Sequence, residues 1–172
     1  ACCRALGDAH GELDGQAPAS LGDGINVALS LMLCGALLGV NVRIGCPEGF
    51  EPLPGVLDQA RDLAQHGASI DVITDPAQAV AGAQAVYTDV WASMGQETEQ
   101  AEREQAFSGF CVDEALMDQA ASDAIVLHCL PAHRGEEISA EVMESAASRI
   151  FDQAENRLHA QQALLASLMG GL

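Results

Sequence analysis

Lysine is absent from the 172 residues, and all seven basic residues are arginines. Aspartate and glutamate together number 25, which gives a formal net charge of −18. A surface this acidic repels nucleic acid and anionic membranes, so neither is expected as a partner. The simplest interpretation is a solvated, self-repelling surface, and the alternative is an acidic interaction surface.

Aromatic residues are scarce, at 3% of the chain, whereas hydrophobic residues make up 49%. The core must therefore be packed from Ala, Leu, Val and Ile, and the length suits one domain with one core. The longest apolar run, residues 27–40, is interrupted by Ser30, Gly35 and Gly39. It is too short to cross a bilayer. These features predict a soluble protein.

No two cysteines have the CxxC spacing of metal or redox motifs, and no even disulfide framework is visible. The six cysteines are Cys2, Cys3, Cys34, Cys46, Cys111 and Cys129. Several lie in apolar stretches, which predicts buried thiols in a reducing compartment. The expected location is cytoplasmic, and the mitochondrial matrix is also compatible.

Short apolar runs alternate with longer helical patterns along the chain. The candidate strands are residues 17–21, 40–45, 69–73, 84–88, 124–127 and 149–151. The candidate helices are residues 26–38, 54–65, 76–81, 97–107, 113–120, 139–146 and 154–168. This alternation predicts an α/β fold, with a doubly wound, mainly parallel, Rossmann-like sheet of about five strands and helices on both faces.

Polar side chains gather in four loops, each of which follows a candidate strand. These loops are residues 22–26, 89–97, 128–135 and 152–157. Ligands of open parallel sheets bind beyond the carboxyl ends of the strands. We therefore expect the four loops to form one site along a single edge of the sheet.

Single residues in these loops also have structural interpretations. Asn26 is a favoured helix N-cap residue, and Asp89 suits the cap of a turn. His128 and Cys129 fit a hydrogen-bonded core histidine and a small buried hydrophobe. Arg157 is expected in the first turn of the last helix, capped by Asp152, where the helix dipole disfavours a cation by roughly 0.3–1 kcal/mol. Either a nearby carboxylate or a bound anion would offset that cost.

Two other site chemistries fit the sequence poorly. Residues 22–24 read GDG, as in a dinucleotide fingerprint, but Val27 replaces the third glycine and Asp23 would face the pyrophosphate. A nicotinamide dehydrogenase is therefore not expected. A metal site from His128, Cys129 and His133 would need three ligands from one short loop, which rarely form a complete tetrahedral set.

Five segments together resemble the second half of ornithine carbamoyltransferases: GDGINVALSLML, CPEGFEP, DVWASMGQE, HCLPAHRGEE and FDQAENRLHAQQALL. The resemblance extends over about residues 11–169. HCLPAHRG together with AENRLHAQ is highly specific, and DVWASMGQE separates ornithine-type members from aspartate-type relatives. Residues 1–172 are thus expected to form a single ornithine-binding domain.

The resemblance implies attack by the δ-amine of ornithine on carbamoyl phosphate, which gives citrulline and phosphate. By family position, the ornithine-binding residues are Asn26, Asp89, Ser93 and Met94. The residues that contact carbamoyl phosphate are His128, Cys129, Leu130 and Arg157, and the catalytic set is Asp89, Cys129, Arg157 and His128. Asn26 is expected to meet the carboxylate of ornithine and Asp89 its α-ammonium group. Neither a metal nor an organic cofactor is implied.

The sequence departs from the family pattern in three ways. Ile25 stands where the family has the first Asn of GDGNN, and the strand before this loop, APASL, is less apolar than usual. The phosphate-binding Ser-x-Arg-Thr-Arg segment belongs to the amino-terminal carbamoyl-phosphate domain and is not found in these residues. That domain is therefore an expected partner, a trimer built mostly through it is possible, and the chain alone is expected to be inactive. The alternatives are a non-catalytic structural or assembly subunit and a module that only binds an amino acid.

Overall fold

The computed structural model describes residues 1–92 and 97–170. The strands are β1 (Ala19–Leu21), β2 (Val42–Gly45), β3 (Ile70–Ile73), β4 (Ala85–Thr88) and β5 (Ile125–His128). The helices are α1 (Cys2–His10), α2 (Val27–Leu37), α3 (Pro54–Leu63), α4 (Pro76–Val80), α5 (Gln100–Ala106), α6 (Glu114–Met117), α7 (Ala140–Met143) and α8 (Ile150–Leu168), and a 3-10 turn, Glu97–Glu99, precedes α5.

The five strands form one sheet in the order β3-β2-β1-β4-β5, and every neighbouring pair is parallel. This confirms the predicted doubly wound α/β fold with about five strands. Every residue of β1, β4 and β5 is buried, as expected where helices cover both faces of a parallel sheet. Pro18 lies just before β1, so its missing N–H removes no bond within that central strand.

Two hydrophobic cores lie on opposite faces of the sheet. One collects side chains from α1, α2 and α3 against the strands. The other collects side chains from α4, α6 and α7 together with an aromatic cluster. Among the described residues, no helix combines the length and apolarity that a bilayer span requires.

The strand order places a crevice where the sequence analysis expects a site. From β1 the chain builds β2 and β3 on one side, and it then returns to place β4 on the other side of β1. The segments that follow β1 and β4 therefore diverge, which opens a crevice at the carboxyl ends of these two strands.

The predicted strand at residues 149–151 is wrong. Just before this run, Ser148 forms an isolated parallel bridge with Val126, and α8 begins at Ile150. Ile150 is completely buried while Phe151 is 66% exposed, and the Gln153 amide already donates a helical bond to the Arg149 carbonyl at 2.9 Å. The apolar run therefore starts a helix by packing one side chain into the core.

The ends of the chain's described part differ from expectation in two further ways. Helix α1 was not predicted, although Ala5 and Leu6 bury against the first core. Helix α8 begins four residues before the predicted 154–168, and Leu158, Leu165 and Leu168 on it are more than half exposed. The helical spacing of these leucines predicted the helix correctly, but within the described chain they do not join a core.

All six cysteines are free, and the reducing compartment stays a prediction.

Gly24 provides a test of how closely the loop after β1 packs. A Cβ on Gly24 would lie 2.5 Å from the Pro52 nitrogen and 2.6 Å from the Phe50 carbonyl oxygen. Because backbone cannot yield like a flexible side chain, we expect Gly24→Ala to lower the free energy of unfolding by about 1–3 kcal/mol. Chemical denaturation followed by circular dichroism measures this change.

Gly55→Ala is the matched control, because a Cβ there meets nothing within 4 Å. Gly55 lies in α3, so alanine should leave stability unchanged or raise it slightly. Equal stability of the two variants would contradict the tight approach at Gly24.

Candidate functional site

A cavity of about 520 Å³ lies beyond the carboxyl ends of β1, β4 and β5. Five of the predicted site residues line it: Asn26, Asp89, Cys129, Leu130 and Arg157. They come from four separate segments of the sequence, so the expected convergence on one edge of the sheet is present. The roles of the individual residues stay predictions.

Asn26 occupies the N-cap position of α2, but its side chain does not cap the helix. The backbone φ of Asn26 is +61°, a value that few residues other than glycine adopt, and such a conformation typically costs about 1–3 kcal/mol. The carboxamide is exposed and lines the cavity. The structural interpretation as a capping side chain is therefore wrong, and the amide remains free to meet a ligand.

Asp89 and Cys129 follow the neighbouring strands β4 and β5, and their side chains form a hydrogen-bonded pair. The Cys129 thiol donates a hydrogen bond to Asp89 Oδ1 at 2.8 Å, and the Val90 amide donates to the same oxygen at 2.8 Å. Burial and the bond to the Asp89 carboxylate raise the pKa of Cys129 to about 12. Cys129 is thus a neutral thiol near pH 7, which suits a hydrogen-bond donor better than a nucleophile or a base.

His128 lies behind the cavity wall. Its ring is fully buried, Nδ1 accepts a hydrogen bond from the Leu130 amide at 2.8 Å, and Nε2 lies 3.1 Å from Glu137 Oε1. Acceptance at Nδ1 places the proton of a neutral ring on Nε2, which donates to the carboxylate. The imidazole does not line the cavity, so these contacts favour a positioning role in holding the backbone of Leu130.

Glu137 in turn anchors two positions of the same loop. Burial disfavours its charge, but hydrogen bonds from His128 and the His133 amide outweigh burial and hold the pKa of Glu137 below its usual range. The His133 amide donates to Glu137 Oε1 at 2.6 Å. Because His128 is engaged through both nitrogens, the metal set considered from the sequence, with Cys129 and His133, is not assembled.

Arg157 lines the cavity but not from the first turn of its helix. Helix α8 starts at Ile150, so Arg157 lies about two turns further on. Arg157 therefore does not lie in the first turn as predicted, the expected cost from the helix dipole does not apply to it, and Asp152 is a first-turn residue rather than the cap. Arg157 is exposed and forms no salt bridge with any residue in the described ranges. Its guanidinium is therefore available to an anion.

Two predicted ornithine-binding residues, Ser93 and Met94, lie outside the described residues. The chain on either side of them lines the cavity, through Trp91 and Ala92 before and Gln100 after. Their assignment stays a prediction.

Arg103 also lines the cavity, although it is not among the site residues predicted from the sequence. It is only 5% exposed, and Nη1 donates to Asp23 Oδ2 at 2.5 Å and to the Trp91 carbonyl at 3.0 Å. Its Nε donates to Glu99 Oε2 at 3.2 Å. Asp23 Oδ1 accepts the Ile25 amide at 3.0 Å, so one carboxylate shapes the loop after β1 and binds the arginine. Arg103 therefore ties together the segments that carry Asn26 and Asp89.

Several of the few aromatic residues pack around the ion pair between Arg103 and Asp23. The guanidinium carbon of Arg103 lies 5.1 Å from the centroid of the Phe50 ring. Phe107 contacts Phe50, Trp91 and Phe110 at centroid distances of 4.9, 6.0 and 6.0 Å. This apolar surrounding strengthens the ion pair by lowering the local dielectric. The one sequence signal was an arginine at helical spacing from a core phenylalanine.

The rest of the cavity lining is mixed in character. Apolar side chains come from Val27, Val90, Trp91, Leu130 and Pro131, and carboxylates from Glu104 and Glu136. A small ligand with a cationic group and a methylene chain would find complementary surfaces here.

Comparison with known proteins identifies relatives of the whole domain. A profile of the aspartate/ornithine carbamoyltransferase family, describing its Asp/Orn binding domain, matches residues 14–168. A protein named ornithine carbamoyltransferase from Parasynechococcus marenigrum is 78% identical, over 99% of this chain and 55% of that protein. One from Prochlorococcus marinus is 69% identical with the same coverage.

Solved structures give the same result. Ornithine carbamoyltransferase from Pyrococcus furiosus superposes with a TM-score of 0.91 at 46% identity, over 99% of this chain and 56% of that chain. The protein of the same name from Gloeobacter violaceus gives 0.87 at 48% identity, over 95% and 55%. The chain thus spans about half the length of the relatives it matches.

The Arg103–Asp23 ion pair predicts a large cost for breaking it on one side. Arg103→Met leaves the Asp23 carboxylate, which is 14% exposed, without its partner. We expect the free energy of unfolding to fall by about 3 kcal/mol. A double-mutant cycle with Asp23→Asn, measured by chemical denaturation, should give a coupling energy of about 1–3 kcal/mol.

Arg4→Met is the matched control, because Arg4 pairs with Asp8 at 2.7 Å on the surface, with side chains 68% and 48% exposed. It should cost less than about 1 kcal/mol. Equal costs for the two arginine variants would show that Arg103 is not a structural tie.

The raised pKa of Cys129 predicts slow alkylation. Cys34 is exposed, and its hydrogen bond with Cys3 lowers the pKa of Cys34 to about 6, so iodoacetamide should label it first at pH 8. Cys129, with a pKa of about 12, should label slowly and speed up as the pH rises. Asp89→Asn should accelerate its labelling by removing the carboxylate. Peptide mass spectrometry measures both rates, and equally fast labelling at pH 8 would refute the neutral thiol.

Proposed function

The chain belongs to the aspartate/ornithine carbamoyltransferase family, and we propose that it is the half of an ornithine carbamoyltransferase that binds ornithine. The proposed reaction transfers the carbamoyl group of carbamoyl phosphate to the δ-amine of ornithine, which gives citrulline and phosphate. The observation that carries the proposal is the single cavity lined by Asn26, Asp89, Cys129 and Arg157.

The polarity of the cavity suits ornithine. The Asp89 carboxylate can bind the α-ammonium group, because Oδ2 is not used by the thiol or the amide that bind Oδ1. The Asn26 carboxamide and the N-terminus of α2, with its free N–H groups, can meet the α-carboxylate. Val27, Trp91 and Leu130 supply apolar surface for the methylene chain. Ser93 and Met94 would complete this set.

The chemistry needs positioning and charge stabilisation rather than a covalent enzyme intermediate. The neutral δ-amine attacks the carbamoyl carbon, a tetrahedral intermediate forms, and the C–O bond to phosphate breaks as the amine loses a proton. Arg157 can stabilise the developing negative charge from the rim of the cavity. The Cys129 thiol can donate a hydrogen bond near the reacting amine, while His128 holds the Leu130 backbone in place.

The exposed surface of α8 supports a second half. Five large apolar side chains from the middle of α8 to its C-cap are at least 55% exposed: Leu158, Leu164, Leu165, Leu168 and Met169. Apolar side chains clustered on one helix favour burial against another surface. The relatives are nearly twice as long as this chain. We propose that the remaining part covers α8 and supplies the contacts to the phosphate group; the trimer stays a prediction.

Ile25 is one of the three departures from the family pattern that favour an inactive structural subunit. Its side chain lines a neighbouring depression with Asp23 and Glu51, rather than the cavity that Asn26 lines. Its amide only closes the turn on Asp23. The departure from the family pattern at Ile25 therefore removes no group from the proposed ornithine pocket, which favours the enzymatic proposal over the structural alternative.

The test fuses this chain to the part of the Parasynechococcus marenigrum protein that it does not cover. We expect the fusion to produce citrulline from ornithine and carbamoyl phosphate. Asp89→Asn should lower kcat/KM for ornithine about 10- to 100-fold, through the lost charged hydrogen bond. Arg157→Ala should lower kcat about 100- to 1,000-fold.

Arg134→Ala is the matched control, because Arg134 pairs with Glu144 on the surface at 2.6 Å and does not line the cavity. Its activity should be unchanged. Calorimetric titration of the unfused chain with ornithine separates the outcomes. If the chain binds ornithine but the fusion produces no citrulline, only an amino-acid-binding module remains. If the fusion folds but produces no citrulline, and the chain does not bind ornithine, the proposal is refuted.

A further inference from the structure

Three metal-ligating side chains meet at the rim of the cavity, in the turn that follows β5. They are His133, Glu136 and Glu137, and one donor atom from each lies within 4.8 Å of the others. The described residues hold no other such group of three. His133 Nδ1 lies 3.5 Å from Glu136 Oε2 and 4.0 Å from Glu137 Oε2.

Glu137 leaves one oxygen of this cluster without a partner. The side chain is completely buried, and Oε1 accepts the bonds from His128 and the His133 amide. Oε2 is buried yet makes no hydrogen bond within the described chain, and His133 Nδ1 lies 4.0 Å from it. A buried carboxylate oxygen without a hydrogen-bond partner has lost its hydration without replacement, which is destabilising. A bound cation would remove that cost.

The separations within the cluster fit coordination better than hydrogen bonding. Distances of 3.5 and 4.0 Å from His133 Nδ1 are too long for N–H···O bonds. An ion held at about 2.0–2.2 Å from each donor places neighbouring donors about 3.0–3.6 Å apart. Small rotations of His133 and Glu136, which are 51% and 42% exposed, would close the difference.

We propose that His133, Glu136 and Glu137 bind a divalent transition-metal ion of the zinc class. An imidazole nitrogen with two carboxylate oxygens suits zinc, manganese or cobalt better than magnesium or calcium, which prefer oxygen alone. Glu137 supplies a fixed ligand held by His128, and the two exposed side chains close on the ion. Three protein ligands leave at least one coordination position open.

The proposed ion would lie at the rim of the cavity and change its charge. His133 and Glu136 line the cavity that also contains Arg157. A divalent ion there neutralises two carboxylates at the rim of a chain whose formal charge is −18. It also fixes the turn between His133 and Glu137, next to the part of the loop after β5 that lines the cavity. The site depends on neither the proposed reaction nor a second half.

The test titrates the purified chain with Zn²⁺ by calorimetry and with Co²⁺ by absorption spectroscopy, at pH 7.5. We expect one saturable site, a Co²⁺ spectrum of nitrogen and oxygen ligands, and at least about 10- to 100-fold weaker binding in His133→Ala and Glu136→Gln. His159→Ala is the matched control, because His159 faces Glu155 at 3.7 Å on the surface with no third ligand. It should bind as the unmodified chain does.

Two outcomes would overturn the site. One is the lack of saturable binding at about 1 mM metal, which would show that the three side chains do not form a metal site. The other is a Co²⁺–thiolate charge-transfer band that disappears in Cys129→Ser, which would assign the ion to the thiol within the cavity. Both variants at the cluster are on exposed side chains, so they should fold, as circular dichroism checks.

Discussion

The reversal of strand order between β1 and β4 determines where this molecule can bind a ligand. It leaves a crevice whose two walls are the loops after β1 and β4, and in the parts of these loops that the structure describes no strand pairing continues beyond the ends of the sheet. Something else must hold these walls at a fixed separation. Arg103 does so, because its guanidinium bonds to Asp23 on one wall and to the Trp91 carbonyl on the other. The geometry of the proposed ornithine pocket therefore depends on an ion pair whose arginine also lines the cavity.

A buried hydrogen bond between the His128 imidazole and the Glu137 carboxylate holds the third wall, the segment that follows β5. His128 and Glu137 are both completely buried, and together they fix the amides of Leu130 and His133. Each of these pairs carries a desolvation cost, which hydrogen bonds to the backbone offset. This arrangement explains why an ionised group at the core of the domain is compatible with stability. It also separates two tasks, since Cys129 and Leu130 face the cavity whereas His128 next to them faces the interior.

The sequence predicted the fold and most of the cavity, because both follow from local patterns. Buried strands read as apolar runs, and polar residues at strand ends converge by topology alone. The prediction was wrong for residues 149–151, because the run Arg-Ile-Phe fits a strand as well as a helix start and only the packing of Ile150 distinguishes the two. The position of Arg157 within its helix was wrong for the same reason, since the helix begins earlier than predicted. The prediction also missed Arg103, since nothing local shows that a helical arginine meets an aspartate 80 residues away. Long-range ion pairs are set by tertiary structure and leave little trace in a single sequence.

The charges of the cavity bear on which of the two proposed substrates it could hold. Asp89, Glu104 and Glu136 line it, while Arg103 is already engaged, so Arg157 is the one exposed guanidinium lining the cavity within the described chain. Such a lining attracts the two amino groups of ornithine and repels a phosphate dianion. Under the proposed function, carbamoyl phosphate would be bound by cationic groups from elsewhere, and Arg157 is the cation that this cavity would offer to it. An acidic domain with one free arginine at its rim is thus suited to hold the cationic substrate and to meet the anionic one only at the reacting bond.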